Sequence, residues 1–153
     1  MTVLGIRTST TVVKFAVVDR AVASFTFVNV DTESALKFPA ECRKTHEKLH
    51  WLRQELLRIL RQYPQVARVA LKCNEYASGR ESGSSRESAY LDAVVMLVAG
   101  ERNLEFDSKL YISIGTRRKD VKEFAENKVG RTTSGWDEQM ADAVAVAHHL
   151  ANS

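Results

Sequence analysis

Apolar and polar positions change their spacing several times along the chain. Residues 2–8 (TVLGIRT), 10–18 (TTVVKFAVV) and 22–30 (VASFTFVNV) are short runs rich in β-branched and aromatic side chains, and the third alternates around Phe25 and Phe27. Such runs predict strands. Asp19-Arg20 reads as a short turn, and connections this brief imply an antiparallel meander. After a mixed connection at 31–42 containing Pro39, the period becomes helical. Leu49, Leu52, Leu56, Leu60 and Tyr63 form one stripe, which predicts a helix over 43–63 ended by Pro64. Residues 65–71 (QVARVAL) predict a short buried strand, and 73–85 a polar Gly/Ser-rich loop. A helix over 85–97, with Ala89, Ala93, Val94 and Leu97 inward, precedes a strand at 110–114 (LYISI). A basic helix at 117–126 and a last helix at 136–150, striped by Met140, Val144, Ala147 and Leu150, complete the pattern.

The string is β-β-β-α-β-α-β-α-α. Strands entered through helices run parallel to the first strand. The expected architecture is α/β: one domain over residues 1–153, with a five-stranded mixed sheet (three antiparallel strands, then two parallel) and helices on both faces. Composition agrees with this. Apolar residues are 44% and charged residues 27% of 153, the balance of a globular domain. No apolar run approaches the ~18 residues a membrane span needs, so no membrane partner is expected. No basic segment leads into a long apolar stretch at the start. Cys42 and Cys73 stand far apart without zinc-ligand spacing, and a reducing cytoplasm is the expected compartment. Twenty-two basic against 19 acidic residues give +3, a charge that permits nucleic-acid binding without demanding it.

Local motifs sharpen the expectation. Gly5-Ile6-Arg7 closes the first strand, Ala70-Leu71-Lys72 with Cys73-Asn74-Glu75-Tyr76 closes the fourth, and Gln139-Met140-Ala141-Asp142-Ala143 opens the last helix. In element order and at these points the chain resembles the RNase H-like superfamily, and within it the RuvC-like Holliday-junction resolvases. Their first strand carries Gly-Ile-Asp, their fourth an apolar-Glu pair, and their last helix Asp-x-x-Asp-Ala. The segment around Val121-Lys122 and Gly130-Arg131 is similar to the basic stretch before that helix. The resemblance implies a two-metal nuclease, whose converging carboxylates hold Mg²⁺ or Mn²⁺ to activate water. Of the four matched positions only Asp142 is an acid: Arg7 and Lys72 are cations and Gln139 is neutral. Cations in the metal's own place imply a degenerate centre, with no catalytic residue and no cofactor.

Two consequences of the swap stay open at this point. Arg7 and Lys72, side by side, need an anion. Asp142 supplies it in a structural ion pair or triad; alternatively a nucleic-acid phosphate does. Arg80 and Arg86 in one loop and Arg117, Arg118, Lys119, Lys122 and Arg131 in another are candidate contacts to DNA or RNA phosphates. A relocated Mg²⁺ or Mn²⁺ site from Glu75, Asp142 and Asp137 or Glu138 would instead make an active endonuclease. A third alternative is a structural or protein-interaction domain, a homodimer through helix faces. Residues 5–14 also look like the phosphate-binding strand pair of sugar-kinase and actin-like ATPases, but lack that pattern's Asp and Gly.

Overall fold

The computed structural model describes residues 1–75 and 82–153. Its sheet is built around β1 (Thr2–Arg7). β2 (Val12–Arg20) pairs antiparallel on one side of β1, and β5 (Val66–Lys72) pairs parallel on the other. β6 (Glu105–Lys109) extends the parallel side, while β3 (Phe25–Phe27) pairs antiparallel with β2. The order β3-β2-β1-β5-β6 has the five strands and mixed directions that the pattern predicts, with β6 in place of the strand expected at 110–114. A sixth strand, β4 (Ala35–Lys37), joins the other end of β2 within the connection at 31–42.

β3 and β4 share one edge of β2 and leave a gap between them. Asn29 fills it. Its buried Oδ1 accepts the Val17 N–H at 2.7 Å, and its Nδ2 donates to the Glu33 and Phe15 carbonyls at 2.9 and 3.3 Å. One side chain thus satisfies backbone groups that a longer strand would have paired. Asp19 and Arg20 continue β2 rather than turning, because β1 reaches that far and Thr2 Oγ1 donates to Asp19 at 2.6 Å. The turn falls at residues 21–24, closed by Ala21 N–H to Ser24 O.

Helices cover both faces. α1 (Thr45–Gln62) and α2 (Gly83–Glu101) pack on a cluster that includes Leu4, Ile6, Phe15, Val69 and Leu71. On the opposite face lie α4 (Val121–Lys128), preceded by a 3₁₀ turn at Arg118–Asp120, and α5 (Glu138–Asn152). Between β6 and that turn comes a one-turn helix, α3 (Tyr111–Ile114). Residues 110–114 are therefore not a strand. Tyr111 and Ile114, one turn apart, point inward while Leu110 and Ile112 stay exposed, and Gly115 ends the turn at φ 91°. The edge strand β6 (EFDSK) is only half buried, so it has little of the apolar signal that marks a central strand. In α2 the inward residues are Leu91, Val94, Val95, Val98 and Ala99, while Ala89, Ala93 and Leu97 face out. That helix is apolar nearly all round, which leaves its period unable to choose a face.

α5 is the most deeply set element. Every side chain from Met140 to Ala147 is fully buried, Asp142 among them. The buried His148 packs its ring 4.5 Å from Phe25. The helix lies directly on β1 at Gly5, where an added Cβ would collide with the Ala143 carbonyl and stand 2.7 Å from the Ala147 methyl. Glycine at position 5 is thus the contact that sets the depth of α5. Gly5→Ala should destabilise the fold by at least about 1–3 kcal/mol, the usual cost of overpacking, read as a lower urea midpoint. An unchanged midpoint would contradict this close approach.

Candidate functional site

The three parallel strands all end in a cation: Arg7 on β1, Lys72 on β5 and Lys109 on β6. Register places Arg7 next to Lys72, and Lys72 opposite Lys109. Lys109 turns to Asp107 at 2.8 Å. The other two lie against α5 and need partners of their own.

Arg7 Nε donates to Asp142 Oδ2 at 2.8 Å. Its Nη1 donates to the Thr8 carbonyl at 3.0 Å and to the Asn74 side-chain oxygen. The second oxygen of Asp142 accepts the Tyr111 hydroxyl at 2.7 Å. Lys72, as fully buried as Asp142, does not reach that carboxylate directly. Its Nζ donates to Glu75 at 2.7 Å and to the Cys73 carbonyl at 2.6 Å, and stands 3.7 Å from the centre of the Tyr111 ring. Tyr111 joins the two ion pairs, because its own N–H also donates to Glu75 at 3.1 Å. A buried ammonium costs several kcal/mol unless such partners replace its water, and a desolvated cation over an aromatic ring recovers about 2 kcal/mol of that.

A polar arm continues away from Arg7. Asn74 Nδ2 donates to Thr8 Oγ1 at 3.2 Å and to Asp92 at 3.4 Å, and the buried Thr8 hydroxyl donates to Asp92. Burial pushes the Asp92 carboxyl above its ordinary value, against the pull of Thr8, Asn74 and Arg7. Asp142 is pushed up for the same reason, against Tyr111 and Arg7. Burial also pushes Glu75 upward, but Lys72, the Tyr111 N–H and Arg7 outweigh it and hold this carboxyl below the ordinary value. The Tyr111 hydroxyl is shifted well up, by burial and by Asp142.

The other acids singled out from the sequence are engaged elsewhere. Asp137 caps α5 by accepting the Met140 N–H at 2.8 Å and lies 3.6 Å from Lys14 Nζ. Glu138 accepts from Arg118 Nε at 2.6 Å. Gln139 sits half-buried one turn before Asp142. A divalent cation needs converging anionic oxygens. Here two cations stand among the carboxylates, and among the described residues no group of three His, Cys, Asp or Glu is placed to hold a metal ion. The residues present do not fit the metal pair of a nuclease.

The basic candidates among the described residues lie outside this network. Arg117 and Arg118 are largely exposed and paired with Asp120 at 3.2 Å and Glu138 at 2.6 Å. Lys119, Lys122 and Arg131 are exposed, and Arg86 is exposed in the first turn of α2. Exposed pairs of this kind are weak and exchange easily for another anion. The Arg118–Glu138 pair ties this loop to the turn of α5 that precedes Asp142. Arg80 and Tyr76 lie outside the described residues.

Sequence reasoning missed four members of the network: Thr8, Asn74, Asp92 and Tyr111. Asp92 left one signal, a lone acid within the apolar run Tyr90–Leu97. Tyr111 was hidden by the expectation of a strand.

No protein-family model matches the chain, and no curated protein matches it by sequence. Solved structures do. RuvC of T. thermophilus in complex with a Holliday junction substrate superposes with a TM-score of 0.79 at 16% identity, over 97% of this chain and 92% of that one. A second Thermus thermophilus RuvC structure gives 0.75 at 15% identity with the same coverage. The yeast mitochondrial Holliday junction resolvase Ydc2 gives 0.62 at 15%, over 97% of this chain and 77% of that one. The chain has the RNase H-like fold in its RuvC-like form.

The raised Asp92 carboxyl makes a pH-dependent contribution of definite sign. Its folded-state value lies above the unfolded one, so the stability it confers is complete below about pH 3.8 and is lost as pH rises through the raised value. Urea midpoints of wild type and Asp92→Asn, compared stepwise upward from about pH 4, should show the wild type losing stability relative to the variant. A wild type that gains on the variant over that interval would contradict the assignment.

Proposed function

We propose that this protein binds nucleic acid at the carboxyl end of its parallel strands and does not cleave it. The observation that carries this reading is the Arg7–Asp142 ion pair, with Lys72 beside it. The resemblance to the resolvases matches Arg7, Lys72, Gln139 and Asp142 to positions where those enzymes use acids to hold metal. Here the one acid retained is committed to a guanidinium and a phenol. Arg7 serves Asp142 and Lys72 serves Glu75, which leaves phosphate recognition to the rim.

The charge distribution supports a rim of this kind. Residues 109–131 hold seven basic and three acidic side chains, a net +4, while the rest of the chain sums to −1. Arg117, Arg118, Lys119, Lys122 and Arg131 are the phosphate contacts on this reading, joined by Arg86 and Arg80. Such contacts position a strand without reading its sequence. The similar RuvC structure holds a Holliday junction substrate, which makes branched DNA the first ligand to test.

A homodimer belongs to the same reading. The outer face of α2 presents Ala89, Tyr90, Ala93, Met96 and Leu97, an exposed stripe without charge that a second copy would cover.

The test is one titration of labelled single-stranded, duplex and four-way-junction DNA, in EDTA and then in Mg²⁺ or Mn²⁺, with sedimentation of the same samples to read the oligomeric state. Binding should not require metal, should weaken as salt rises, and should leave the DNA intact. Arg117→Ala with Arg118→Ala should weaken binding and lower the salt slope by about two. Metal-dependent cleavage abolished by Asp142→Asn would overturn the reading in favour of an endonuclease using Glu75, Asp142 and Asp137 or Glu138. Absence of binding to all three DNAs would overturn it in favour of a protein-interaction domain.

A further inference from the structure

A second recess opens where the chain passes from α4 into α5, apart from the Arg7–Asp142 network. It is a cleft of about 560 Å³ lined by Lys122, Arg131 and residues 132–136. Its walls combine two exposed cations, three consecutive hydroxyls (Thr132, Thr133, Ser134), a glycine at φ 67° and the Trp136 ring, with no acid among them. Lys14 Nζ stands behind the wall, 4.0 Å from where a Cβ on Gly135 would lie, and is paired there with Asp137 at 3.6 Å. Arg131 is held only loosely, 3.7 Å from Glu126, with both side chains largely exposed. The loop itself is pinned, because Thr133 N–H donates to the Val30 carbonyl across the domain edge.

An independent observation points to a ligand. Thr132 is 4% exposed, and among the described residues its hydroxyl is a buried side-chain oxygen with no hydrogen-bond partner. Keeping a buried hydroxyl unpaired is unfavourable, and nearly all such groups in folded proteins are satisfied. An oxygen-rich anion entering the cleft would neutralise Arg131 and Lys122, and a χ1 rotation of Thr132 would turn its hydroxyl toward that anion.

We propose that this cleft is a phosphate-binding subsite that takes a backbone phosphate of a nucleic-acid strand. Arg131 and Lys122 pair with the anionic oxygens, the Thr132 hydroxyl donates to one of them, and Trp136 lies beside the adjoining sugar or base. The anion chemistry stands on the cleft alone; the choice of nucleic acid as its source rests on the function proposed above.

The test uses Trp136 as its own reporter. Trp51 and Trp136 are the two tryptophans of the chain, so Trp51→Phe leaves the one in the cleft. This variant is titrated at low salt with short single-stranded DNA, with duplex DNA and with inorganic phosphate. The titrations are repeated after adding Thr132→Val or Arg131→Ala. DNA should change the Trp136 fluorescence. Thr132→Val should weaken DNA binding about tenfold, as loss of a charge-assisted hydrogen bond does, with a thermal midpoint that is unchanged or raised because an unpaired buried hydroxyl has gone. Inorganic phosphate should act only at far higher concentration. DNA binding that leaves Trp136 silent and is indifferent to Thr132→Val would overturn the subsite and leave the function proposed above intact. A response to inorganic phosphate without any DNA binding would overturn the nucleic-acid source and that function together.

Discussion

A carboxylate placed in the driest part of the molecule must find a cation, and Arg7 is the cation within reach of Asp142. The constraint begins with packing. Gly5 lets α5 settle on β1 so closely that the helix is buried along eight successive residues. A charged group on that stretch has no water to turn to, and unpaired it would be several kcal/mol unstable. Arg7 closes one side of Asp142 and the Tyr111 hydroxyl the other. Arg7 in turn fixes Asn74 and Thr8, and Tyr111 fixes Lys72 and Glu75. One buried charge thereby organises the ends of β1 and β5, the start of α3 and the middle of α2.

This arrangement separates two roles that a metal-dependent nuclease keeps together. In such an enzyme the acids at the strand ends hold metal, and the metal holds phosphate. In this chain the strand-end cations are paired from within, and residues 109–131 carry a net +4. Surface pairs such as Arg117–Asp120 and Arg118–Glu138 cost little to break. The fold is that of the junction resolvases, while the carboxylates at its centre are paired with Arg7, Lys72 and Tyr111.

Much of the fold was legible because its elements have strong periods. The stripe of α1, the apolar runs of β1, β2 and β5 and the small-residue pattern of α5 each admit one interpretation, and short connections fix the order of the sheet. The site was legible where it sits at strand ends and on α5, as with Arg7, Lys72 and Asp142. What escaped has physical causes. β6 is an edge strand with a polar sequence, and the more apolar LYISI beside it draws the strand prediction away. α2 is apolar on nearly every side, so its period could not show that Asp92 faces the centre while Ala93 and Leu97 face out. Asn29, Asn74 and Thr8 act through hydrogen bonds to partners distant in sequence, and no local pattern encodes those.

The most direct measurement is thermal unfolding with and without Mn²⁺, on the wild type and on Arg7→Asp combined with Lys72→Glu. If cations occupy the place of the metal, the wild-type midpoint will not respond to Mn²⁺. The double variant, left with converging acids, will unfold earlier in EDTA and regain stability when Mn²⁺ is added. A wild-type midpoint that rises with Mn²⁺ would show that the centre holds metal despite Arg7 and Lys72, and would contradict the account.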